Sequence, residues 1–287
     1  MSDTPLLAAL VEQWGPAPAA ARCFDACSAG GAGPRPDFFE ASPQVAGDRI
    51  APWRMTHYFD VGGRPLARRV EVFARFSACA TALGVVIPEA LAGLLAAPEP
   101  EPALRQLCLG IDARPEPEPS RLKLYAIFEG DAAAYTRALC AGLAVEPPAA
   151  ASLGLTHIVG VDLIGARGLA DVKLYYSMPP RRVPRTLRRP TLAIPLLRGC
   201  RRVVYQRSLI VPGKQSYHFH GESPAPLRAE LARLREQAPA TAELEGRLDA
   251  LADAGLTPWI LAHPFADGEL ERGVYSLYLH YGTGGAR

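Results

Sequence analysis

The 287-residue chain lacks the marks of several protein classes. It has no apolar run long enough to span a bilayer, and its first residues, MSDTPLLAALVEQWG, contain an acidic residue and no basic stretch of the kind that begins a secretory signal. Its 31 Lys and Arg against 29 Asp and Glu leave a net charge of +2, so we expect no general affinity for nucleic acid or for membranes. We therefore expect a cytoplasmic protein that forms one domain over 1–287.

Cysteine is scarce, and it lacks the spacing that carries chemistry. The six cysteines show no paired metal-ligand pattern, and a chain of this length does not need disulfides to be stable. Cys23 and Cys27 form a CxxxC, which we interpret as ordinary reduced thiols. The phosphate-binding loop GxxxxGK[ST] is also absent. The basic run PPRRVPRTLRRP at 179–190 has no interleaved aromatics, so it favours a solvated face, or a position near an opening that attracts an anionic substrate, over a nucleic-acid site.

One strand-like pattern, in which polar and apolar residues alternate, occurs twice in the chain: RLKLYAIF at 121–128 and DVKLYYSM at 171–178. Successive side chains of a strand point to opposite faces, so Lys123 and Tyr125 share one face and apolar residues share the other. Lys173 and Tyr175 repeat the arrangement. A sheet with one solvated side would also give this alternation.

The same alternation recurs along the chain between helical segments, which indicates a repeat of helix, strand, strand about five times. Predicted helices lie at 5–13, 78–96, 131–143, 185–198 and 226–254, the last broken near Pro239. The predicted strand pairs are 53–60 with 66–76, 107–114 with 121–128, 157–164 with 170–178, 201–211 with 215–220, and 258–263 with 273–281.

Serial antiparallel hairpins can close into a barrel, which removes exposed edges. We therefore predict an α+β fold: a closed antiparallel ten-stranded barrel with a ring of outer helices. In such a barrel the apolar strand faces meet the helices and the polar faces enclose a chamber, because ten strands are too many for side chains to fill the interior. The first pair would contribute Arg54, Thr56, Tyr58 and Asp60, then Arg69, Glu71, Phe73 and Arg75.

Lysine, arginine and tyrosine converging on one chamber would suit an anion of high charge density. Guanidinium and ammonium groups make charge-assisted bonds to phosphate oxygens, so a diphosphate is the expected ligand. Tyrosine rings beside those cations could stabilise a developing carbocation by cation–π attraction. The aspartate-rich DDxxD of metal-dependent terpene enzymes is absent, so cations would hold the diphosphate.

These strands carry a resemblance to a known family. The serial helix–hairpin pattern with LKLYAIF and VKLYYSM resembles the aromatic prenyltransferases of the ABBA barrel. The order of GID before SRLKLYAIF, IVGVDLIG before VKLYYS, and TPWILAHPFADGELERGVYSLYL near the end is similar to the cyanobactin-type peptide prenyltransferases along nearly the whole chain.

The resemblance implies transfer of an isoprenyl group, usually dimethylallyl, from its diphosphate to a ribosomally made, often macrocyclic, peptide, with Mg²⁺ assisting. It also implies site roles. Arg69 and Lys123 would grip the diphosphate, with Lys173 as a second cation where the peptide enzymes often have an acid. Tyr125, Tyr175 and Tyr278 would line the prenyl pocket.

The resemblance further implies a proton-accepting carboxylate on the first barrel strand. The predicted first strand offers Met55 or Thr56 there and no Glu, so we expect the base among the inward residues Glu71, Asp60, Asp112 and His218. A metal ligand set is not identified; His218 and His220 share a face but lack a third ligand.

Two other functions keep the same chamber. One is a prenyltransferase for a small aromatic metabolite, which Lys173 favours because the peptide enzymes often have an acid at that position. The other is a non-catalytic barrel that binds a lipophilic anion, which the lack of a Glu on the predicted first strand favours. As partners we expect a prenyl diphosphate and a peptide, with no nucleic acid and no membrane, and we expect a monomer because a closed barrel leaves no edge to pair.

Overall fold

The structure is a computed structural model that describes residues 4–30, 35–96, 104–130, 132–147, 156–188, 193–271 and 273–281. Ten antiparallel strands form a closed barrel, in the order β1, β4, β5, β6, β7, β8, β9, β10, β11 and β13, and β13 pairs back to β1. This confirms the predicted fold class. The ten strands are β1 (Phe38–Ala41), β4 (Arg54–Asp60), β5 (Leu104–Asp112), β6 (Arg121–Phe128), β7 (Thr156–Ile164), β8 (Gly168–Met178), β9 (Cys200–Ser208), β10 (Gln215–Gly221), β11 (Leu256–Ala266) and β13 (Val274–Tyr281).

Three short strands extend this sheet outside the ring. β2 (Gln44–Ala46) pairs with the start of β13, β3 (Arg49–Ala51) pairs with β2, and β12 (Glu269–Leu270) pairs with the end of β11. They lie in connections between barrel strands, and none of their side chains lines the chamber inside the barrel.

Helices cover the outside of the barrel, where the apolar strand faces point. On β6, for example, Leu122 and Leu124 are buried in the outer hydrophobic core, whereas Lys123 and Tyr125, which alternate with them, point inward. Burying apolar strand faces under helices provides the main stabilisation of this architecture. The helices are α1 (Pro5–Trp14), α2 (Ala19–Ala29), α3 (Leu66–Ala82), α4 (Glu89–Ala96), α5 (Ala133–Gly142), α6 (Ile194–Arg198), α7 (Pro224–Leu234) and α8 (Ala240–Asp253).

Among the described helices, α3 is the longest at 17 residues, and none has the length and apolar character needed to cross a bilayer. Two 3₁₀ helices, Gly165–Arg167 with one turn and Pro180–Arg185 with two, lie in connections.

The two ends of the barrel differ in their connections. Short connections without an α-helix link β5 to β6 (113–120), β7 to β8 (165–167) and β9 to β10 (209–214) at one end, which we call the floor. Helical connections leave from the other end, which we call the mouth, where β4, β6, β8 and β10 finish. The predicted turns between these hairpins are confirmed.

The predicted first hairpin is wrong in its second strand. Residues 66–76 lie in α3, because their buried positions, including Val72, Phe76 and Cys79, recur at the helical spacing of three and four and Pro65 precedes the first turn. The barrel strand that takes this place is β1, which pairs with β4 on one side and β13 on the other. The count of ten strands holds because β1 replaces the mistaken strand.

Other helix boundaries also differ. The helix predicted at 78–96 is two helices, α3 and α4, and α2 was not predicted. The break predicted near Pro239 is confirmed, since Pro239 lies between α7 and α8. Residue 131 of one predicted helix and 189–192 of another lie outside the described residues; the described remainder of 185–198 ends in α6.

The helical assignment of 66–82 gives a direct stability test. In a strand Val70 and Val72 would share a face, but in α3 Val70 is 50% exposed and Val72 is fully buried. We expect Val72→Ala to lower the free energy of unfolding by about 2 kcal/mol, because it deletes buried methyl groups. We expect Val70→Ala to change it by less than about 0.5 kcal/mol. Urea unfolding measures both, and equal losses would contradict the helix.

Candidate active site

The inward faces of the barrel strands enclose a chamber of about 540 Å³. Its outer end is open at the mouth, where Asp37, Arg105 and Arg201 among its lining residues are exposed. Its inner end is lined by Arg54 and Lys123. A chamber of this size falls in the range that holds one small-molecule ligand with most of its surface buried.

Arg54 and Lys123 form a cationic inner end. Arg54 donates from Nη1 to Ser276 Oγ at 2.8 Å, while its buried Nε has no hydrogen-bond partner. Burial, followed by the charge of Arg54, lowers the pKa of Lys123 to about 7. Two neighbouring cations with an unused donor form a site that an anion would stabilise.

Lys173 occupies a different position from the one predicted. It points inward from β8 but is not among the chamber's lining residues, and its Nζ donates to Asp162 Oδ2 at 2.5 Å. Burial raises the pKa of Asp162, but Lys173 and Lys123 lower it, so it lies below its ordinary value. Lys173 is therefore held in a buried ion pair with Asp162, outside the lining of the chamber.

The three predicted prenyl-pocket tyrosines do come together. Tyr125 and Tyr175 meet edge to face with ring centroids 6.0 Å apart, and His218 lies 5.7 Å from Tyr175 and 5.5 Å from Tyr278. All four rings line the chamber. We call Tyr125, Tyr175, Tyr278 and His218 the aromatic collar.

A glycine makes room for this collar. A Cβ added to Gly160 would lie 2.7 Å from the ring of Tyr125 and 3.4 Å from that of Tyr175. The absence of a side chain on β7 therefore lets both rings project into the chamber. Burial raises the pKa of Tyr278 to about 12, so its hydroxyl stays neutral at physiological pH.

The four predicted bases lie in four different environments. His218 is inside the collar, where burial lowers its pKa to about 3, so it is a weak proton acceptor. Asp60 lies at the mouth, partly exposed. Asp112 does not line the chamber and pairs with Arg114. Glu71 is exposed on α3, so its predicted position on an inward strand face is wrong.

Arg69 is also on α3, outside the barrel. It is buried, and its charge acts on Tyr135 of α5, so it lies near that helix and away from the chamber. Its predicted position on an inward strand face is wrong for the same reason as that of Glu71. Arg54, which the sequence analysis placed on the inward face without a role, is the arginine at the inner end of the chamber.

The carboxylate that the sequence analysis missed is Glu40 on β1. Its side chain lines the chamber and is only 3% exposed. One oxygen, Oε2, accepts from the Tyr58 hydroxyl at 3.0 Å and contacts His280 Nε2 at 3.1 Å. Glu40 also lies directly across the strand pair from Thr56, the position where the predicted register had found no acid.

The sequence gives little evidence for the strand that carries Glu40. β1 spans only the four residues FFEA and follows a Gly- and Pro-rich stretch, so no period-two pattern could build up. The first barrel strand is β1 and not β4, and it carries a Glu where the predicted first strand offered none.

A metal site is not supported by these side chains. Within the described ranges no group of three or more His, Cys, Asp or Glu could hold a metal ion. Asp162 and Asp112 face the cations Lys173 and Arg114 instead. The described residues therefore do not fit an Mg²⁺ held by the protein, and no step below depends on one.

Comparisons with known proteins agree with this architecture. No protein-family model and no curated protein matches the sequence. A solved structure named 6-dimethylallyl tryptophan synthase has 16% identity and a TM-score of 0.64, over 96% of this chain and 94% of its own. The NotF prenyltransferase has 10% identity and a TM-score of 0.50, over 86% of this chain and 80% of its own. At these identities the likeness shows the fold, which is that of the ABBA prenyltransferase barrel.

The depressed pKa of Lys123 predicts a pH dependence of anion binding. Burial lowers its pKa most, the charges of Arg54 and Lys173 lower it further, and those of Asp162 and Asp112 oppose them, so that the pKa is about 7. A diphosphate would restore the charged form, so binding should take up a proton above pH 7. We expect the Kd of a non-hydrolysable dimethylallyl diphosphate analogue to rise as pH increases, by at most about tenfold per unit.

Calorimetric titration between pH 6 and 9 measures this dependence. Lys123→Arg is the matched control, because arginine stays charged throughout and leaves only the titration of the ligand itself. Parallel curves for the wild type and Lys123→Arg would show that Lys123 does not hold the diphosphate.

Proposed function

We propose that this chain transfers an isoprenyl group from its diphosphate to an aromatic or other nucleophilic acceptor. The observation that carries the proposal is the sequence of groups in the chamber: Arg54 and Lys123 at the inner end, the aromatic collar beside them, and the buried carboxylate of Glu40. Tyr278 connects these parts, because it hydrogen-bonds Arg54 and lies close enough to Glu40 for that charge to raise its pKa.

The proposed reaction begins with cleavage of the bond between the allylic carbon and the diphosphate oxygen. The bonding electrons leave with the diphosphate, whose increased negative charge Arg54 and Lys123 stabilise. The allyl cation that remains faces the tyrosine rings, which stabilise it by cation–π attraction. An acceptor then attacks the cation and forms the new bond.

Glu40 completes the reaction by taking the proton that the acceptor releases. Its hydrogen-bond partners leave Oε1 as the oxygen not engaged by Tyr58 or His280. This carboxylate weighs against a non-catalytic barrel, since a carrier of a lipophilic anion gains nothing from a buried negative charge in its chamber. His218, with its pKa of about 3, is assigned to the aromatic wall.

We propose a peptide as the acceptor, as the resemblance to the cyanobactin-type enzymes implies. Two features of the chamber support this choice: it is open at the mouth, and its volume suits a short prenyl diphosphate with one side chain. The second candidate is a small aromatic metabolite, which the printed name of the tryptophan synthase favours. Mg²⁺, a cytoplasmic location and a monomeric state stay predictions; we propose that Mg²⁺ binds only through the diphosphate.

Mass spectrometry tests the reaction class and the acceptor together. The purified chain is incubated with dimethylallyl diphosphate or its longer homologues and a panel of linear peptides, cyclic peptides, indoles and phenols. We expect one prenyl mass to be added to peptides that carry an exposed nucleophilic side chain. Modification of the small aromatics alone would overturn the peptide proposal, and no modified acceptor with any donor would overturn the transfer reaction.

Glu40→Gln tests the assignment of the base. The amide keeps the shape but cannot accept a proton, so we expect kcat to fall by about 10²–10⁴-fold with little change in analogue binding. Glu71→Gln is the matched control: the same substitution on the exposed face of α3 should leave kcat unchanged. If Glu71→Gln lost activity and Glu40→Gln kept it, the assignment would be reversed.

A further inference from the structure

The charge of the chain is strongly divided along the sequence. From 172 to 221 there are eleven Lys and Arg and not one Asp or Glu. The remaining 20 basic residues are outnumbered by all 29 acidic ones, so the rest of the chain carries a net charge of −9. A nearly neutral protein therefore contains one strongly basic region, which would attract negatively charged partners.

Part of this region lies at the mouth of the chamber. The 3₁₀ helix Pro180–Arg185 follows the mouth end of β8 and exposes Arg181 and Arg182. Arg198, also exposed, ends α6 just before β9 begins at the mouth. Arg201, Arg202 and Arg105 line the chamber itself. We call these six arginines the basic rim.

The basic rim has spare capacity for an anion. Burial lowers the pKa of Arg202, and the neighbouring charges of Arg201 and Arg105 lower it further. The Nε of Arg202 is buried and has no hydrogen-bond partner. Within the described residues no carboxylate lies in salt-bridge distance of Arg181 or Arg198. Crowded guanidinium groups with free donors are stabilised by carboxylates, which they bind in a bidentate manner.

The other side of the mouth carries mixed charge. Asp37 and Asp60 lie there, on the side of β1 and β4, but Arg68 pairs with Asp37 at 3.4 Å, and Arg105 of the basic rim lies on the neighbouring strand β5. The basic rim is therefore densest along β8 and β9. The negative part of an acceptor that lies across the mouth is attracted toward that side.

We propose that the basic rim binds an acidic segment of the acceptor peptide while one neighbouring side chain enters the chamber. This inference rests on the proposed function and specifies its substrate class: a peptide with Asp or Glu beside the residue that is prenylated. The chamber holds a donor and one side chain, so the rest of a peptide must lie outside it, over the rim. Attraction between the rim and the peptide raises kcat/KM mainly through KM, because the charges act on binding and not on bond cleavage.

Matched peptides test the proposal in the wild type. Three linear peptides share one central nucleophilic residue and differ only in flanks of Asp and Glu, Asn and Gln, or Lys and Arg. At 50 mM NaCl we expect the acidic peptide to have a kcat/KM at least about tenfold above the neutral one, and the basic peptide to be the poorest. At 300 mM NaCl the advantage should shrink, because salt screens exposed charges.

Charge reversal shows whether the rim is the cause. Arg181→Glu with Arg198→Glu should remove the advantage of the acidic peptide, so that its kcat/KM falls to that of the neutral peptide or below. Arg49→Glu with Arg137→Glu is the control, since both residues are exposed away from the mouth and the change in net charge is the same. The control variant should keep the preference of the wild type.

Binding and turnover separate failure of this inference from failure of the proposed function. Fluorescence anisotropy of the labelled acidic peptide, without donor, measures rim binding even if no transfer occurs. Equal kcat/KM for all three flanks would overturn the rim proposal while transfer stands. A preference that persists in the Arg181→Glu, Arg198→Glu variant would overturn it too, as would a panel in which only small aromatics are prenylated and the acidic peptide does not bind.

Discussion

The structure depends on closure of the barrel, which forces each strand to place one face in a water-poor interior. The outward faces are apolar and the helices cover them, so the polar residues of each strand have nowhere to go but inward. There, cations such as Lys123, Lys173 and Arg54 lose much of their hydration. Carboxylates neutralise part of this charge. Asp162 forms an ion pair with Lys173, and Oδ2 of Asp171 lies 2.8 Å from Nζ of Lys214.

Lys123 is a lining cation for which this compensation is incomplete, since burial and then the charge of Arg54 lower its pKa to about 7, and the neighbouring Arg54 has a buried Nε without a hydrogen-bond partner. An anionic ligand is therefore part of the electrostatic design of the interior. The same interior also favours a reaction in which charge is separated, since the departing anion meets cations and the remaining cation meets aromatic rings. Glu40 would meet the third requirement of the proposed reaction, a proton acceptor; its Oε2 accepts from Tyr58 and contacts His280.

The sequence predicted this interior where strands were long. LKLYAIF and VKLYYSM each carry enough residues for the two-residue period to fix which side chains share a face, so Lys123, Tyr125 and Tyr175 were assigned inward positions that the structure confirms. Charge pairing could not be predicted in the same way. Asp162 reaches Lys173 diagonally, because the register between β7 and β8 sets Lys173 opposite Gly160 and Asp162 opposite Asp171; strand alternation alone does not determine this register.

Prediction failed where segments were short or ambiguous. The segment 66–76 fits both a period of two and a period of 3.6, and tertiary packing, which buries Val72 and Phe76 together, selects the helix. β1 is too short to show a period-two pattern in the sequence. Its position is fixed by pairing with β4 and β13, which lie further along the chain. The error in α3 moved Arg69 and Glu71 into the predicted site, and the missing β1 kept Glu40 out of it.

The central claim is that one chamber binds a prenyl diphosphate by Arg54 and Lys123 with its allyl group against the aromatic collar. A crystal structure with a non-hydrolysable thiolodiphosphate analogue of dimethylallyl diphosphate tests it most directly. The account predicts diphosphate oxygens in hydrogen-bond distance of Arg54 and Lys123 and the allyl carbons against Tyr125, Tyr175 and Tyr278. A diphosphate bound elsewhere, or an allyl group that points to the mouth and away from these rings, would contradict it.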